Sequence, residues 1–267
     1  MKIFVCVKQV PAVEKIKIDP KTNCLIRKGI PSMINPMDKN AIELAVQLKE
    51  THNAETIGLT MGPPQAEEVL RQALAMGIDE AYLLTDSKFA GADTLATSYT
   101  LSLAIKKILK QKKVEEDYLI ICGNQAIDGE TGQTGPELAE ELGIPQITYV
   151  ENFQLQGKKA IIERSFISEE VVVIETKLPL LLSVVRDLND PKYPTMAGIV
   201  NAYHKEITHW NATDLSADKK KIGLPGSRII VWNLFSPERK GELTLLEGTP
   251  EKISKELCDY LQKDKVL

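Results

Sequence analysis

The chain has 267 residues, 43% hydrophobic and 26% charged, which suits one large or two small soluble domains with a sizeable core. A net charge of -4 excludes a general affinity for nucleic acid, and no apolar run approaches the roughly 20 residues of a membrane span. The four cysteines form no CxxC pair and the three histidines no HExxH, so the expectation is reduced thiols in a cytoplasmic protein without a metal site.

MKIFVCVKQV is too short for a signal peptide, and its run Lys2 to Lys8 predicts a first strand. Glu55 to Met61, Ala81 to Thr85 and Tyr118 to Cys122 predict three more, each nearly continuous in apolar residues, as in a sheet covered on both faces. Helices lie between them. The first has Asn35 as candidate N-cap, Pro36 at its first position and Asp38 to close a capping-box-like pair. Ala41, Leu44, Ala45 and Leu48 then share one face. The second helix stops at Gly77, and the third starts after Asp93 as N-cap. The lysines of KKILKQKK, Lys106 to Lys113, read as a solvated face late in that helix. The fourth helix has Pro136 near its first turn.

Beyond about Gly143 the pattern changes. QITYVENFQLQ, KKAIIERSF and VVVIETK predict antiparallel strands, with a hairpin around QGKK. LPLLLSVV is again a buried strand, and the loop Arg186 to Gly198 precedes a short helix. From about Ser236 the chain is polar, ending in the amphipathic TPEKISKELCDYLQK. The expected fold is α/β: a doubly wound, mostly parallel, Rossmann-like sheet over residues 1–235, with an antiparallel hairpin insertion, and a C-terminal arm over 236–267 that docks on another surface.

Parallel α/β sheets bind ligands outside the carboxyl ends of their strands. KQVP, MGPP, FAGADTLATS and GNQAIDGETGQTG follow the four predicted strand ends. The bend CGNQAIDGETGQTGP carries four glycines and exceeds the about 2 to 6 residues of an ordinary strand-to-helix link. Helix N-termini offer free N–H donors and the positive end of a dipole, which suits phosphate. Thr94, Thr97, Ser98 and Thr134 can add hydroxyl donors, and Asn124, Gln125 and Gln133 can read a base or ribose. Asp128 accepts from a ribose hydroxyl or shapes the turn. Gly132 and Gly135 let the backbone approach a ligand or take positive φ. Asp93 and Asn35, taken singly, are more ordinary as helix caps than as ligand contacts. There is no P-loop, no GxGxxG, no GxSxG elbow and no nucleophile with a placed base, so any chemistry must come from a bound cofactor.

GNQAIDGETGQTG, with VCVKQV, INPMDKNAIELAVQLKE, MGPPQAEEVLRQALAMG and LNDPKYPTMAGI in the same order, resembles the β-subunit of electron-transfer flavoproteins over nearly the whole chain. The resemblance implies a heterodimer with an FAD-carrying α-subunit. In the ordinary branch the β-subunit holds AMP. In the electron-bifurcating branch it holds FAD, accepts hydride from NADH, and divides the electrons between ferredoxin or flavodoxin and, through the α-subunit, a flavin-containing dehydrogenase of acyl-CoA, enoyl-CoA or 2-hydroxy acid type. GADTLATS looks like the bifurcating type and would set Thr94, Thr97 and Ser98 beside a diphosphate. Carried over by resemblance, the nucleotide contacts are Cys6, Asn35, Asp38 and Met61, with the loop Gly123 to Thr134 that includes Ala126 and Ile127. LNDPKYPTMAGI resembles a dehydrogenase-docking loop holding Leu188, Tyr193 and Met196; a tethering loop with one buried Met fits the same residues. ERSFISEEVVVIETKLP departs from the family's acidic–Gly–Gly turn. A nucleotide-sensing α/β module without a redox role is the rival of another class.

Overall fold

The computed structural model describes residues 1–12, 31–166, 168–229 and 244–266, without the side chains of 166, 168 and 169. Cys24 and the expected start of the arm at Ser236 lie outside them. In chain order the strands are β1 Lys2–Cys6, β2 Gln9–Pro11, β3 Ser32–Ile34, β4 Glu55–Met61, β5 Glu80–Leu84, β6 Tyr118–Gly123, β7 Gln146–Gln156, β8 Lys159–Phe166, β9 Ser168–Lys177, β10 Leu180–Val184 and β11 Ile207–Trp210. The helices are α1 Pro36–His52, α2 Glu67–Met76, α3 Thr94–Lys112, α4 Thr134–Leu142, α5 Met196–His204, the single turn α6 Gly223–Gly226, and α7 Pro250–Lys263. The chain divides into two compact units, Met1–Trp232 and Asn233–Leu267.

The first unit is a mixed α/β fold around a 9-stranded sheet in the order β11-β5-β4-β1-β6-β10-β7-β8-β9. Neighbours from β11 to β7 are parallel; β7, β8 and β9 extend the sheet antiparallel. The β7–β8 hairpin turns at Gly157, in the left-handed region at φ 64. β2 and β3 form a small antiparallel pair of their own.

Alternate residues of each central strand serve opposite faces. Ile3, Val5, Leu119 and Ile121 pack with Ala41, Leu44 and Leu70 of α1 and α2. Phe4, Leu59 and Ile120 pack with Ile105, Ile108 and Leu138 of α3 and α4. This two-sided cover is why the strands read as unbroken apolar runs. Each fully buried Ile or Phe contributes about 1.5 to 3 kcal/mol of apolar burial.

One surface reading changes. Lys112 is only partly solvated; its ammonium reaches Glu55 and lies 2.6 Å from Glu80, tying α3 to the starts of β4 and β5. Lys107 stands 4.1 Å above the Trp210 ring. Both lysines lie over neighbouring elements, which local periodicity does not show.

In the second unit, α7 is capped by Thr249, whose hydroxyl accepts from the Lys252 amide. Leu257 and Tyr260 on it are exposed. Among the described residues no helix is long and apolar enough to cross a membrane.

Candidate functional site

From β1 the chain winds outward through β4 to β5, then returns to β6 on the other side of β1. The loops leaving β1 and β6 therefore part. Sheets of this kind bind ligands outside the carboxyl ends of their strands at such a switch point. Cys6 and Cys122 stand side by side there in register.

A single carboxylate staples three elements at this point. Pro36 pre-sets the first turn of α1, and Asp38 projects from that turn between the strand ends. Its Oδ2 accepts from the Lys8 amide at 2.7 Å; its Oδ1 accepts from the Gly123 amide at 3.2 Å and from Asn35 Nδ2 at 3.0 Å. Gly123 admits no side chain, because a Cβ would sit 2.9 Å from Met37 and closer still to Asp38. Burial pushes the Asp38 carboxyl up to about 7, against the opposing pull of Asn35, the two amides and the Lys8 charge.

The capping expectation for Asn35 and Asp38 is corrected. Asn35 occupies the N-cap position but makes no side-chain cap. Its buried amide holds the long loop instead, with Nδ2 donating to the Gln125 carbonyl at 3.0 Å and Oδ1 accepting from the Ile127 amide at 3.2 Å. Buried loop and strand-end groups cost about 1 to 3 kcal/mol each if unpaired, and these two side chains satisfy them.

Within the loop, Asn124 turns inward. Its amide donates to the Val184 carbonyl at 2.8 Å, and its Oδ1 faces the Ser183 hydroxyl at 3.4 Å. It anchors the loop on β10. The Asp128 carboxylate pairs with Lys8 Nζ at 2.6 Å, joining the loop to the chain after β1. Glu130 and Gly132 are left-handed, at φ 52 and 62. Gly135 is not; it lies buried in α4, where a Cβ would meet Cys122 Sγ at 2.9 Å. Its lack of a side chain sets close helix-to-sheet packing, not a turn.

The hydroxyl-rich start of α3 also divides. Asp93 is the cap: Oδ1 accepts from the Ala96 amide at 2.9 Å, and Oδ2 accepts from the Arg228 and Ile229 amides at 2.6 and 3.1 Å. Against burial, these amides hold its carboxyl below the usual range. Thr97 gives its proton to the Asp93 carbonyl at 2.7 Å, and buried Ser98 gives its own to the Thr134 carbonyl at 3.0 Å. The expectation of three hydroxyl donors from this turn narrows to Thr94, because Thr97 and Ser98 are committed to carbonyls. Thr94 Oγ1 faces Glu137 Oε1 at 3.2 Å and Gln133 Oε1 at 3.5 Å. The first turns of α3 and α4 thus lie against each other, and α4 has no side-chain cap at Gln133. Two positive helix ends converge on one place.

The remaining expected contacts lie around these groups. Burial, then the Asp38 charge, raises the Cys6 thiol to about 12, and Cys122 is raised too, so neither is a thiolate nucleophile at neutral pH. Met61 ends β4, half-buried against the core on the α3 and α4 side. Ala126 is half-buried and Ile127 exposed on the same loop.

The expected docking loop is held apart from this cluster. Asn40 Nδ2 donates to the Arg186 and Asn189 carbonyls at 3.0 and 2.7 Å, and Glu43 accepts from the Lys192 amide at 3.1 Å. Leu188 packs on the core. Tyr193 is 94% exposed and Met196 78%, so Met196 is not a buried tether. α5 begins at Met196 itself, capped by the Thr195 hydroxyl, two residues before the expected end of the loop.

Sequence reasoning missed Lys8, Asn40, Glu43, Ser183 and Glu137. A signal existed for two of them: Asn40 and Glu43 are polar residues on the otherwise apolar inner side of α1, and both are buried.

The pattern of the electron transfer flavoprotein domain matches residues 22–215. Caffeyl-CoA reductase-Etf complex subunit CarD of Acetobacterium woodii is 49% identical over 250 residues, 93% of each chain. The electron transfer flavoprotein subunit beta of Megasphaera elsdenii is 47% identical over 271 residues, 100% of each. Acryloyl-CoA reductase electron transfer subunit gamma of Anaerotignum propionicum is 37% identical over 276 residues, again 100% of each.

Proposed function

Because the chain belongs to the electron transfer flavoprotein family, among its β-subunits, we propose that it is the NADH-oxidising, FAD-holding β-subunit of an electron-bifurcating heterodimer. The observation that carries this reading is the meeting of two helix N-termini, α3 and α4, beside the Gly-rich loop, with Thr94 and Thr134 at the junction. A helix N-terminus suits a phosphate group, and two such termini side by side offer donors to both phosphates of a dinucleotide. The donor set fits a dinucleotide of this kind, with amides and hydroxyls at the phosphates and Gln125 and Gln133 half-buried to exposed along the loop.

Bound FAD would supply hydride acceptance from NADH and one-electron delivery onward. The chain's own residues do the holding. Asp38 and Asn35 fix the loop to the strand ends, and Gly132 turns the chain left-handed just before α4. Electrons would leave by two routes, to ferredoxin or flavodoxin and, through the α-subunit FAD, to a dehydrogenase docked at Tyr193 and Met196. The reductase names of two relatives favour a partner acting on a CoA thioester. The arm from about residue 236 would pack on the α-subunit, giving the exposed apolar residues of α7 a surface to cover.

One observation favours a second reading, an AMP-holding, non-bifurcating subunit: Glu137 brings a carboxylate to Thr94, where the second phosphate would lie. Nucleotide analysis of the purified heterodimer separates the readings. Two flavins per heterodimer are expected. One flavin and one AMP would overturn the bifurcating assignment, and a colourless nucleotide alone would favour a sensor.

A further inference from the structure

Between α3 and α4 one buried polar atom lacks a partner. Among the described residues, Glu137 Oε2 is a buried side-chain oxygen that makes no hydrogen bond. The other oxygen, Oε1, faces the Thr94 hydroxyl at 3.2 Å. Ser98 stands beside the same carboxyl, but its one proton is committed to the Thr134 carbonyl at 3.0 Å. The charge that acts on Glu137 is that of Asp93 at the start of α3, and Glu141 follows one turn along α4. On the preceding loop Asp128 is already paired with Lys8. Among the described residues no ammonium or guanidinium group is ion-paired with Glu137.

The Thr94 hydroxyl has one proton and three competing acceptors: the Glu137 carboxylate, the more distant Gln133 Oε1 and a ligand phosphate. An ionised Glu137 would also repel that phosphate across a short, partly dry gap. Protonation removes both conflicts, since a carboxylic acid donates where a carboxylate only accepts. We propose that Glu137 is a proton-coupled positioning residue: as the diphosphate of a flavin dinucleotide binds between α3 and α4, Glu137 takes up one proton from solvent, frees the Thr94 hydroxyl for a phosphate oxygen and becomes a donor itself. No electron moves in this step. The inference rests on the dinucleotide reading of the site. Burial, followed by the charge of Asp93, already raises this carboxyl above its ordinary range against the Thr94 and Ser98 hydroxyls, and a phosphate arriving beside it would raise it further.

Uptake of a proton makes binding weaken as pH rises above the carboxyl's own titration. The test is calorimetric titration of FAD into the full heterodimer, with this chain's nucleotide removed. Buffers of different ionisation enthalpy count the protons taken up. FAD is the right probe because a phosphate monoester such as AMP titrates near pH 6 on its own account, with a pKa of about 6. Wild type should take up as much as one proton per FAD. Glu137→Gln should take up correspondingly less, with an FAD Kd that rises less steeply with pH, the gap approaching tenfold per pH unit. Glu137→Asp, which keeps the acid, should retain the uptake and serves if the Gln variant folds poorly. Asp38 titrates in every variant and cancels in the difference. Equal proton uptake in wild type and Glu137→Gln would overturn the role of Glu137 while leaving the flavin reading intact. Failure of wild type to bind FAD at any pH would remove the flavin reading, and this inference with it.

Discussion

Replacing Asp38 with Asn isolates the central staple of the site. The wild-type carboxyl is buried, with a titration point raised from 3.8 to about 7. Between those values the folded state binds the proton more tightly than the unfolded state. Stability therefore falls as pH rises through this window and levels off above about 7. Each tenfold difference in proton affinity between the two states is worth about 1.36 kcal/mol, so the wild type should lose roughly 3 kcal/mol between pH 5 and 8 relative to a variant that cannot titrate. Asn carries its own penalty. Both Asp38 oxygens accept from N–H donors, at 2.7, 3.0 and 3.2 Å, and an amide NH2 must face at least one of them. That mismatch costs about 1 to 3 kcal/mol, independent of pH. The expected result is a wild-type advantage at pH 5 that shrinks toward zero or reverses at pH 8. Urea midpoints at several pH values measure it, provided the slope of unfolding with denaturant is unchanged. An advantage that widens with rising pH would refute the reasoning, since it would mean that the three N–H donors outweigh burial and favour the charged form.

Gly132→Val places a β-branched residue at φ 62 and should abolish nucleotide retention while the strand–helix core still folds; full nucleotide stoichiometry in the variant would reduce the loop to a decoration. Thr94→Ala should weaken FAD by about 1 to 3 kcal/mol, read by equilibrium dialysis, whereas Ser98→Ala should act mainly on stability, because the Ser98 hydroxyl is spent on Thr134. Met196→Ala should slow electron delivery to the dehydrogenase by about 1 to 3 kcal/mol in docking and leave NADH oxidation by an artificial dye unchanged; equal loss in both assays would contradict the exposed position of Met196. Asn40→Ala should loosen the same loop by removing its bonds to the Arg186 and Asn189 carbonyls, detected as faster amide exchange around Asn189, and unchanged exchange would show that Glu43 and Leu188 suffice.

The sequence by itself determined most of the elements and their order, though not β2, β3, β11 or the single turn α6. Strand β4 is the predicted Glu55–Met61, and β7 the predicted Gln146–Gln156. Gly77 ends α2 and Asp93 caps α3 where local chemistry required. These are short-range matters: side-chain periodicity, a missing Cβ, a carboxylate three residues from an amide. The Gly-rich bend stood out for the same reason, since its length exceeds what the connection needs. Only the tertiary structure decided what each polar side chain of the site does. Asn35 and Asp38 fit a capping box by spacing, yet they bind Gln125, Ile127, Lys8 and Gly123. Thr94, Thr97 and Ser98 look equivalent along the chain, but the packing of α3 on α4 commits Ser98 to Thr134 and turns Thr94 to Glu137. The physical reason is competition for partners. A buried hydrogen-bonding group is satisfied by whichever partner the packed sheet brings within about 3 Å. That choice was fixed by the strand order, with β1 set between β4 and β6, and no local spacing in the chain encodes it.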